Sequence, residues 1–203
     1  MITVVDYGLG NIQAFANIYK RLNIPVRVAR TAAELAGAER IILPGVGAFD
    51  WAMQRLNDSG MRVCLDDLVL NRRKPVLGVC VGMQMMAGRS EEGALPGLGW
   101  LDGDVKRFDE ARFRQRTHLP HMGWNDVRPV ADAGLFRQMA SPRFYFLHSY
   151  YFVSGPTGQI LATTNYGGDF TSAAHAGHIL GVQFHPEKSH EWGIQLLKNF
   201  AEL

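Results

Sequence analysis

The first half of the chain alternates short apolar runs with longer stretches in which apolar residues recur every three or four positions. Short runs rich in valine and isoleucine predict β-strands, and the longer spacing predicts amphipathic helices. Strands are predicted at residues 2–5, 25–29, 41–43 and 75–79. Helices are predicted at 12–22, 49–56 and 63–70, with a short one that opens at Thr31. Because these strands are apolar on both faces, this order predicts a parallel sheet with helices on both sides.

The second half of the chain contains short strand-like runs with few helices between them. Strands are predicted at 105–108, 144–152, 159–164, 170–174 and 179–184. Such a series predicts antiparallel hairpins added to the sheet. An apolar stripe of Ile194, Leu197 and Phe200 predicts a closing helix over 192–200. We therefore expect an α/β fold, with a mostly parallel central sheet flanked by helices and added antiparallel strands in the C-terminal half.

Composition and charge narrow the class of protein. A chain of 203 residues that is 47% hydrophobic and 20% charged is typical of one globular domain, expected here over residues 1–203. The net charge is only +2, and basic residues form no block, so no nucleic-acid partner is expected. The start of the chain does not resemble a leader peptide, and the longest uncharged stretch, 144–168, contains Pro156 and four glycines. We expect no membrane span and a cytoplasmic location.

A cysteine flanked by glycines is the first candidate for chemistry. Gly78, Cys80 and Gly82 directly follow an apolar strand and precede a helical segment, which is the layout of a nucleophile elbow. The glycines permit the tight turn, the helix N-terminus favours a thiolate, and the Val81 amide can donate to an oxyanion. The alternative is a buried structural cysteine between glycines that allow close packing. Cys64 lies within a predicted helix and lacks these features, so a structural role is expected for it.

A thiol nucleophile needs a base, and His185 is the best candidate. It follows the last predicted strand, and Pro186 forces it into an extended conformation, so His185 and Glu187 should project from the same side of the chain. Glu187 can then accept a hydrogen bond from one imidazole nitrogen while the other faces the thiol. The sequence therefore predicts a Cys80, His185 and Glu187 constellation.

The other histidines do not predict a metal site. After His190-Glu191, a zinc-protease helix would need a second histidine at position 194, but Ile194 stands there. Two pairs have ligand-like gaps, His118 with His121 and His175 with His178. Neither pair has a nearby thiol or carboxylate cluster, so surface or loop roles are expected, and for His148 a partly buried strand position. We predict neither a metal nor another cofactor.

Seven motifs occur together in order along the chain. They are DYGLGN at 6–11, PGVG at 44–47, GVCVGMQ at 78–84, SEEG at 90–93, HMGWN at 121–125, HSYY at 148–151 and HPEKS at 185–189. Through them the chain resembles class I glutamine amidotransferases, among them the glutaminase subunits of imidazole glycerol phosphate synthases. The resemblance covers residues 6 to about 200. Val79 and Val81 stand where isoleucine and leucine are commoner in the family, an exchange that does not touch the chemistry.

The resemblance implies a role for each residue of the site. Cys80 would attack the carboxamide carbon of glutamine to form a glutamyl thioester. His185 would take the thiol proton and give it to departing ammonia, while Glu187 holds the imidazole. The oxyanion would be held by the Val81 amide and by an amide of the loop at Val46 and Gly47. An inward turn of that loop would gate the activity.

The resemblance also implies a substrate site and a partner. Gln84 and Glu92 would bind the amino-acid end of glutamine, with backbone groups of Ser149 and Tyr150. The residues that match the family's interface are Asn11, Trp124, Tyr145 and Lys188. Trp124 is equally compatible with a core aromatic, because the HMGWN stretch resembles a loop. The implied partner is a (β/α)₈ barrel synthase or cyclase that receives ammonia through a tunnel and closes an imidazole ring in histidine biosynthesis.

Three other functions stay open. The segments 189–193 and 196–200 resemble the tails of chains that supply ammonia to enzymes modifying surface sugars. A stand-alone cysteine hydrolase or peptidase on a similar sheet would act without a partner. A silent binding subunit is the third, although intact Cys80, His185 and Glu187 argue against it.

Overall fold

Strands and helices alternate through the first half of the structure, a computed structural model that describes residues 1–113, 118–130 and 134–203. The strands are β1 (Ile2–Val5), β2 (Val26–Ala29), β3 (Arg40–Gly45) and β4 (Val76–Cys80). The helices are α1 (Ile12–Arg21), α2 (Ala32–Leu35), α3 (Phe49–Asp58), α4 (Arg62–Asp66) and α5 (Val81–Met85). A π-helical turn, Asp67–Asn71, extends α4, so the helix predicted at 63–70 contains two helical geometries.

The second half consists mostly of strands. They are β5 (Arg89–Ser90), β6 (Gly103–Arg107), β7 (His121–Asp126), β8 (Arg128–Pro129), β9 (Arg143–His148), β10 (Tyr150–Ser154), β11 (Ile160–Asn165), β12 (Asp169–Ala176) and β13 (Ile179–Val182). Single turns of 3-10 helix span Glu110–Arg112, Gly134–Phe136 and Pro186–Lys188. The closing helix α6 (His190–Glu202) buries Leu197 and Phe200 of the predicted apolar stripe.

One eight-stranded sheet forms the centre of the fold, in the order β2-β1-β3-β4-β13-β12-β11-β8. The strands from β2 to β13 in this order run parallel, and β12, β11 and β8 are added antiparallel. This confirms the predicted α/β class and its mixed sheet. The carboxyl ends of β1, β3, β4 and β13 meet at one edge, which is where ligands bind in open α/β sheets.

Two smaller sheets differ from the prediction. The run 144–152, predicted as one strand added to the central sheet, is divided at Ser149 into β9 and β10. Strand β10 pairs with β6 and β9 pairs with β7, both antiparallel and both outside the central sheet. Strand β7 covers the HMGWN motif, which was predicted as a loop. Its inward positions are His121, Gly123 and Asn125, so the chain shows no alternation of apolar residues there.

The core lies on both faces of the central sheet. Strands β1, β3 and β4 are buried along almost their whole length, which explains why their sequences are largely apolar on both faces. Helix α1 buries Phe15 and Tyr19, and the Tyr19 hydroxyl donates to the carbonyl of Leu197 at 3.0 Å, which ties α1 to α6. Each fully buried aromatic contributes roughly 1.5–3 kcal/mol of transfer free energy. Within the described ranges, no helix combines the length and apolarity that crossing a bilayer requires.

Candidate active site

Cys80 lies on a tight turn between β4 and α5. Its φ of 55° is in the left-handed region that residues other than glycine rarely adopt. A Cβ on Gly82 would lie 2.0 Å from the carbonyl oxygen of Leu43, and one on Gly78 would lie 2.9 Å from the carbonyl carbon of Gly82. Both glycines are therefore required for this turn, as the sequence predicts. The nucleophile elbow predicted from the sequence implies an exposed thiol, but Cys80 is only 3% exposed.

The thiol is reached through a cavity of about 300 Å³ at the carboxyl edge of the sheet. The cavity brings together the predicted residues Val46, Gly47, Cys80, Val81, Gln84, Glu92, Ser149, Tyr150 and His185. Lys188, predicted for the interface, also lines it, as do Pro120, Leu147 and His148, which were not predicted there. The cavity therefore contains almost the whole predicted site, with Glu187 behind His185.

His185 and Glu187 form a buried pair. The Nδ1 of His185 donates to Oε1 of Glu187 at 2.9 Å, and the two side chains are only 3% and 2% exposed. Burial by itself lowers the pKa of His185, but hydrogen bonds to Cys80 and Glu187, with the charges of both, outweigh it and raise the pKa to about 10. His185 is thus an imidazolium at neutral pH, the state that stabilises a neighbouring thiolate.

Two further groups contact the thiol. The Sγ of Cys80 lies 3.9 Å from the carbonyl oxygen of Leu147, and Nε2 of Gln183 lies 3.8 Å from the sulfur. Sequence reasoning missed Gln183. The signal available in the sequence was an amide side chain next to the apolar strand that leads to His185. Because its Nε2 donates, Gln183 favours a negatively charged sulfur.

The loop after β3 lies beside the thiol. Gly45 pairs with Cys80 in the sheet register, so Val46 and Gly47 leave the sheet next to the nucleophile. The Tyr7 hydroxyl donates to the carbonyl of Pro44 at 2.7 Å and anchors the start of the loop. Beyond that anchor, Gly47 has a φ of 85°, and within the described part of the chain an added Cβ would meet no atom within 4 Å. Open space therefore lies beside the Cα of Gly47, just after the loop leaves β3.

Gln84 and Glu92 both line the cavity. The Gln84 amide nitrogen donates to the carbonyl of Tyr150 at 3.0 Å and to Oε1 of Gln183 at 3.1 Å. The carboxylate of Glu92 accepts from the backbone N–H of Phe49 at 3.0 Å, at the first residue of α3. Burial raises the pKa of the Glu92 carboxyl, and the Phe49 N–H opposes that rise.

Three of the four predicted interface residues lie together. Trp124 and Tyr145 are opposite each other on β7 and β9, and the Lys188 ammonium lies 5.9 Å from the centre of the Tyr145 ring. Trp124 is 41% exposed and stacks on His190 with ring centres 5.3 Å apart, so the alternative of a core aromatic is wrong. Asn11 is exposed at the start of α1, at the same edge of the sheet.

The remaining histidines are distributed as follows. His121 is only 2% exposed in β7, so the predicted surface or loop role is wrong for it, and His148 is a buried residue of β9. His178 contacts the carbonyl of Val69 at 2.7 Å through Nε2. Among the residues that the structure describes, no group of three or more His, Cys, Asp or Glu side chains is arranged to hold a metal ion. Cys64 lies on α4, where burial raises the pKa of its thiol.

The whole chain matches a known family. The class-I glutamine amidotransferase family matches residues 3–203. The imidazole glycerol phosphate synthase subunit HisH of Bdellovibrio bacteriovorus is 60% identical over 204 residues, and that of Leptospira borgpetersenii is 49% identical, each match covering 100% of both chains. A crystal structure of a glutamine amidotransferase, 20% identical, covers 100% of this chain and 99% of its own with a TM-score of 0.74, which shows the shared fold. The chain therefore belongs to the class-I glutamine amidotransferase family and, within it, to the HisH subunits.

Proposed function

We propose that the chain, as a single domain over residues 1–203, is the glutaminase subunit of imidazole glycerol phosphate synthase. It hydrolyses glutamine to glutamate and ammonia and passes the ammonia to a cyclase subunit in histidine biosynthesis. The observation that carries this proposal is the cavity that holds Cys80 and His185, in a chain 60% identical to a HisH subunit. Two free thiols fit a reducing compartment, and the proposed location is the cytoplasm.

The first chemical step is attack by the Cys80 thiolate on the carboxamide carbon of glutamine. A carbon–sulfur bond forms, and the carbonyl electron pair moves to the oxygen. The backbone N–H of Val81 and an N–H of the loop at Val46 and Gly47 stabilise that oxyanion. The carbon–nitrogen bond then breaks while His185 gives its proton to the leaving amide nitrogen, and ammonia departs.

The second step returns the enzyme to its starting state. Water attacks the thioester carbonyl and loses its proton to the neutral His185, after which the carbon–sulfur bond breaks. Glutamate leaves and Cys80 is again a thiolate beside an imidazolium. Glu187 orients the ring through both steps and stabilises its positive charge. No external oxidant, metal or cofactor is required for this balance.

The amino-acid end of glutamine carries one positive and one negative charge. Both N–H groups of Gln84 are already used by protein acceptors, so its Oε1 is the atom offered to the substrate ammonium. Glu92 supplies a negative charge to the same ammonium. The backbone N–H groups of Ser149 and Tyr150 suit the carboxylate, because amides are donors.

The proposed partner is a (β/α)₈ barrel cyclase bound at Trp124, Tyr145, Lys188 and Asn11. Ammonia is useful only if it reaches an acceptor before it escapes, so a docked partner above the cavity is required. Trp124 offers exposed aromatic area of the kind that anchors interfaces. Lys188 lines the cavity and lies against Tyr145, so it connects that surface with the site.

The nucleophile is tested by Cys80→Ser with Cys64→Ser as its matched control. We expect Cys80→Ser to abolish glutamate release with the fold intact, because a serine hydroxyl is a far weaker nucleophile beside this histidine. Cys64→Ser should be nearly silent, and a glutamine-like electrophile should label Cys80 before Cys64 by mass mapping. Wild-type glutamate release by Cys80→Ser would contradict the assignment.

The acceptor is tested by measuring imidazole ring formation with glutamine as the nitrogen source and the cyclase subunit present. We expect ring formation that stops with Cys80→Ser and returns when an ammonium salt is added. Ammonia delivery to a sugar-modifying enzyme but not to the cyclase would favour the second destination. Full glutaminase activity without any partner would favour a stand-alone hydrolase.

A further inference from the structure

A buried row of hydrogen-bonded side chains leads from strand β7 to the wall of the cavity. His121 and His148 face each other across β7 and β9 and are 2% and 6% exposed. Nδ1 of His121 lies 2.9 Å from Nε2 of His148, and Nδ1 of His148 lies 2.8 Å from the carbonyl oxygen of Tyr150. At the far end, Nε2 of His121 lies 3.1 Å from Nδ2 of Asn125. The hydrolysis described above uses neither imidazole.

The two ends of this row fix its direction. The Asn125 nitrogen also donates to the carbonyl of Asn165 at 2.9 Å, and its Oδ1 accepts from the N–H of Asp126 at 2.8 Å, so a donor faces His121. The Tyr150 carbonyl can only accept. Each ring therefore carries its hydrogen on Nδ1: His121 donates to His148, and His148 donates to Tyr150.

Both rings are neutral. Burial lowers the pKa of His121 to about 4. Burial, with the charges of His121 and His185, lowers the pKa of His148 to about 3, against the opposing hydrogen bond to Tyr150. A second proton on either ring would also place two N–H groups face to face. The row thus keeps one hydrogen-bond direction at neutral pH, where His185 is charged.

The row ends on a peptide that faces the substrate cavity. Tyr150 is opposite Arg107 in the register of β10 and β6, while Phe108 donates its N–H to the carbonyl of Ser149 at 3.2 Å. In an antiparallel ladder, opposite residues alternate between pairs that bond each other and pairs that do not. Phe108 and Ser149 form a bonded pair, so the N–H and C=O of the next residue, Tyr150, both point away from β6. Its carbonyl accepts from Gln84 and from His148, which occupy both lone pairs. The Tyr150 N–H belongs to the preceding peptide, whose Ser149 carbonyl is held by Phe108. The two bonds to the Tyr150 carbonyl hold the other side of the same Cα, so the N–H is positioned from both sides.

We infer that His148, held in one tautomer by His121, is a positioning residue that aims the Tyr150 N–H at the carboxylate of the substrate glutamine. This inference rests on the proposed function, since glutamine is the ligand. His148 touches no reacting atom, so its loss should weaken glutamine binding more than it slows the chemistry. Without the imidazole, the Tyr150 carbonyl keeps only the Gln84 bond, and the Cα that carries the N–H can shift within the limits set by the pairing of β10 with β6.

The test compares His148→Leu with His148→Asn in the complex with the cyclase subunit. Leucine removes the donor, whereas the asparagine amide returns an N–H close to the position of Nδ1. We expect His148→Leu to raise KM for glutamine roughly tenfold, about the effect of one lost hydrogen bond, with kcat within about threefold. His148→Asn should restore KM to within about threefold of wild type. The matched control is His178→Leu, which removes another imidazole contact to a carbonyl, at the opposite edge of the sheet, and should change neither constant.

A second pair of variants covers the case in which His148→Leu fails to fold. His121→Leu should raise KM in the same direction and His121→Asn should reverse it, because the asparagine N–H replaces the donor to His148. Nitrogen NMR of the histidines should show both rings with hydrogen on Nδ1. Wild-type KM in His148→Leu, or an equal loss with asparagine and leucine, would overturn the inference. Absence of glutaminase activity in the wild-type complex would instead refute the proposed function.

Discussion

Replacing Gly82 by alanine should move the two oxyanion donors apart while the rest of the fold stays in place. An added Cβ would lie 2.0 Å from the carbonyl oxygen of Leu43 and 3.1 Å from the carbonyl carbon of Pro44. A Cβ on Gly45 would in turn lie 2.4 Å from the nitrogen of Gly82. The end of β3 and the start of α5 are thus in direct backbone contact, and no flexible side chain stands between them to give way.

The size of the effect follows from these distances. Real Cβ atoms stay at least 3.0 Å from such an oxygen, so the two segments must separate by about 1 Å. Helix α5 begins with Val81, which carries one donor N–H, and strand β3 leads to Gly47, which carries the other. A misplacement of about 1 Å costs roughly 10²-fold in rate, and loss of one oxyanion donor costs roughly 10²- to 10³-fold. Overpacking of this kind costs about 1–3 kcal/mol of stability.

The assay is kcat for glutamate release by the complex, with thermal unfolding measured in parallel. We expect Gly82→Ala to lose at least about 10²-fold in kcat. Gly88→Ala is the control, because its Cβ would lie 3.7 Å from the nearest atom, and its rate should stay within about twofold of wild type. Wild-type turnover by Gly82→Ala would refute the placement of the oxyanion hole at this junction.

Three further predictions concern the acid, the base and the loop. Glu187→Gln should lower kcat roughly 10²- to 10⁴-fold by removing the charge that stabilises imidazolium, and unchanged turnover would make Glu187 a structural carboxylate. Because the pKa of His185 is raised to about 10, the stability from its pairing is complete below about 6.5 and is lost as pH rises through 10; thermal unfolding should show this decline in the wild type and a weaker one in Glu187→Gln. The chain alone should release glutamate roughly 10²- to 10³-fold more slowly than the complex loaded with acceptor, because one peptide turn at Gly47 supplies or removes an oxyanion donor. Equal rates alone, with partner and with acceptor would refute gating.

The catalytic elbow was predictable because its determinants are local. Strand β4 is buried at every residue, so its sequence is a continuous apolar run, and the turn that follows leaves no room for side chains at Gly78 and Gly82. His185 and Glu187 meet as predicted, but the predicted extended chain is wrong beyond His185. Glu187 lies in the 3-10 turn over Pro186–Lys188, and that turn brings its carboxylate to Nδ1 of His185. Local spacing therefore determines the elbow, whereas the path between His185 and Glu187 depends on the turn that Pro186 starts.

The buried histidine row was not predictable because it depends on register between distant segments. His121 and His148 are 27 positions apart and meet only because β7 and β9 pair at that register. The inward positions of β7 are polar or glycine, which conceals the strand, and β propensity is equally high on both sides of the break at Ser149. Gln183 was missed because a single amide beside an apolar strand does not reveal the sulfur that it meets.

The proposed partner surface and the catalytic base are connected through strand β9. Tyr145 of β9 accepts the backbone N–H of His185 at 2.9 Å and donates its own N–H to Ser189 Oγ at 3.0 Å. Ser189 in turn donates to the carbonyl of His185 at 2.5 Å, which closes a ring of hydrogen bonds around the base. Three residues further along β9 is His148, which holds the Tyr150 peptide. A partner bound at Tyr145, as proposed, would be one hydrogen bond from the backbone of His185 and three residues along β9 from His148. Strand β9 thus contacts the base through Tyr145 and the Tyr150 carbonyl through His148, so a displacement of β9 by the proposed partner would be expected to change kcat and KM for glutamine together.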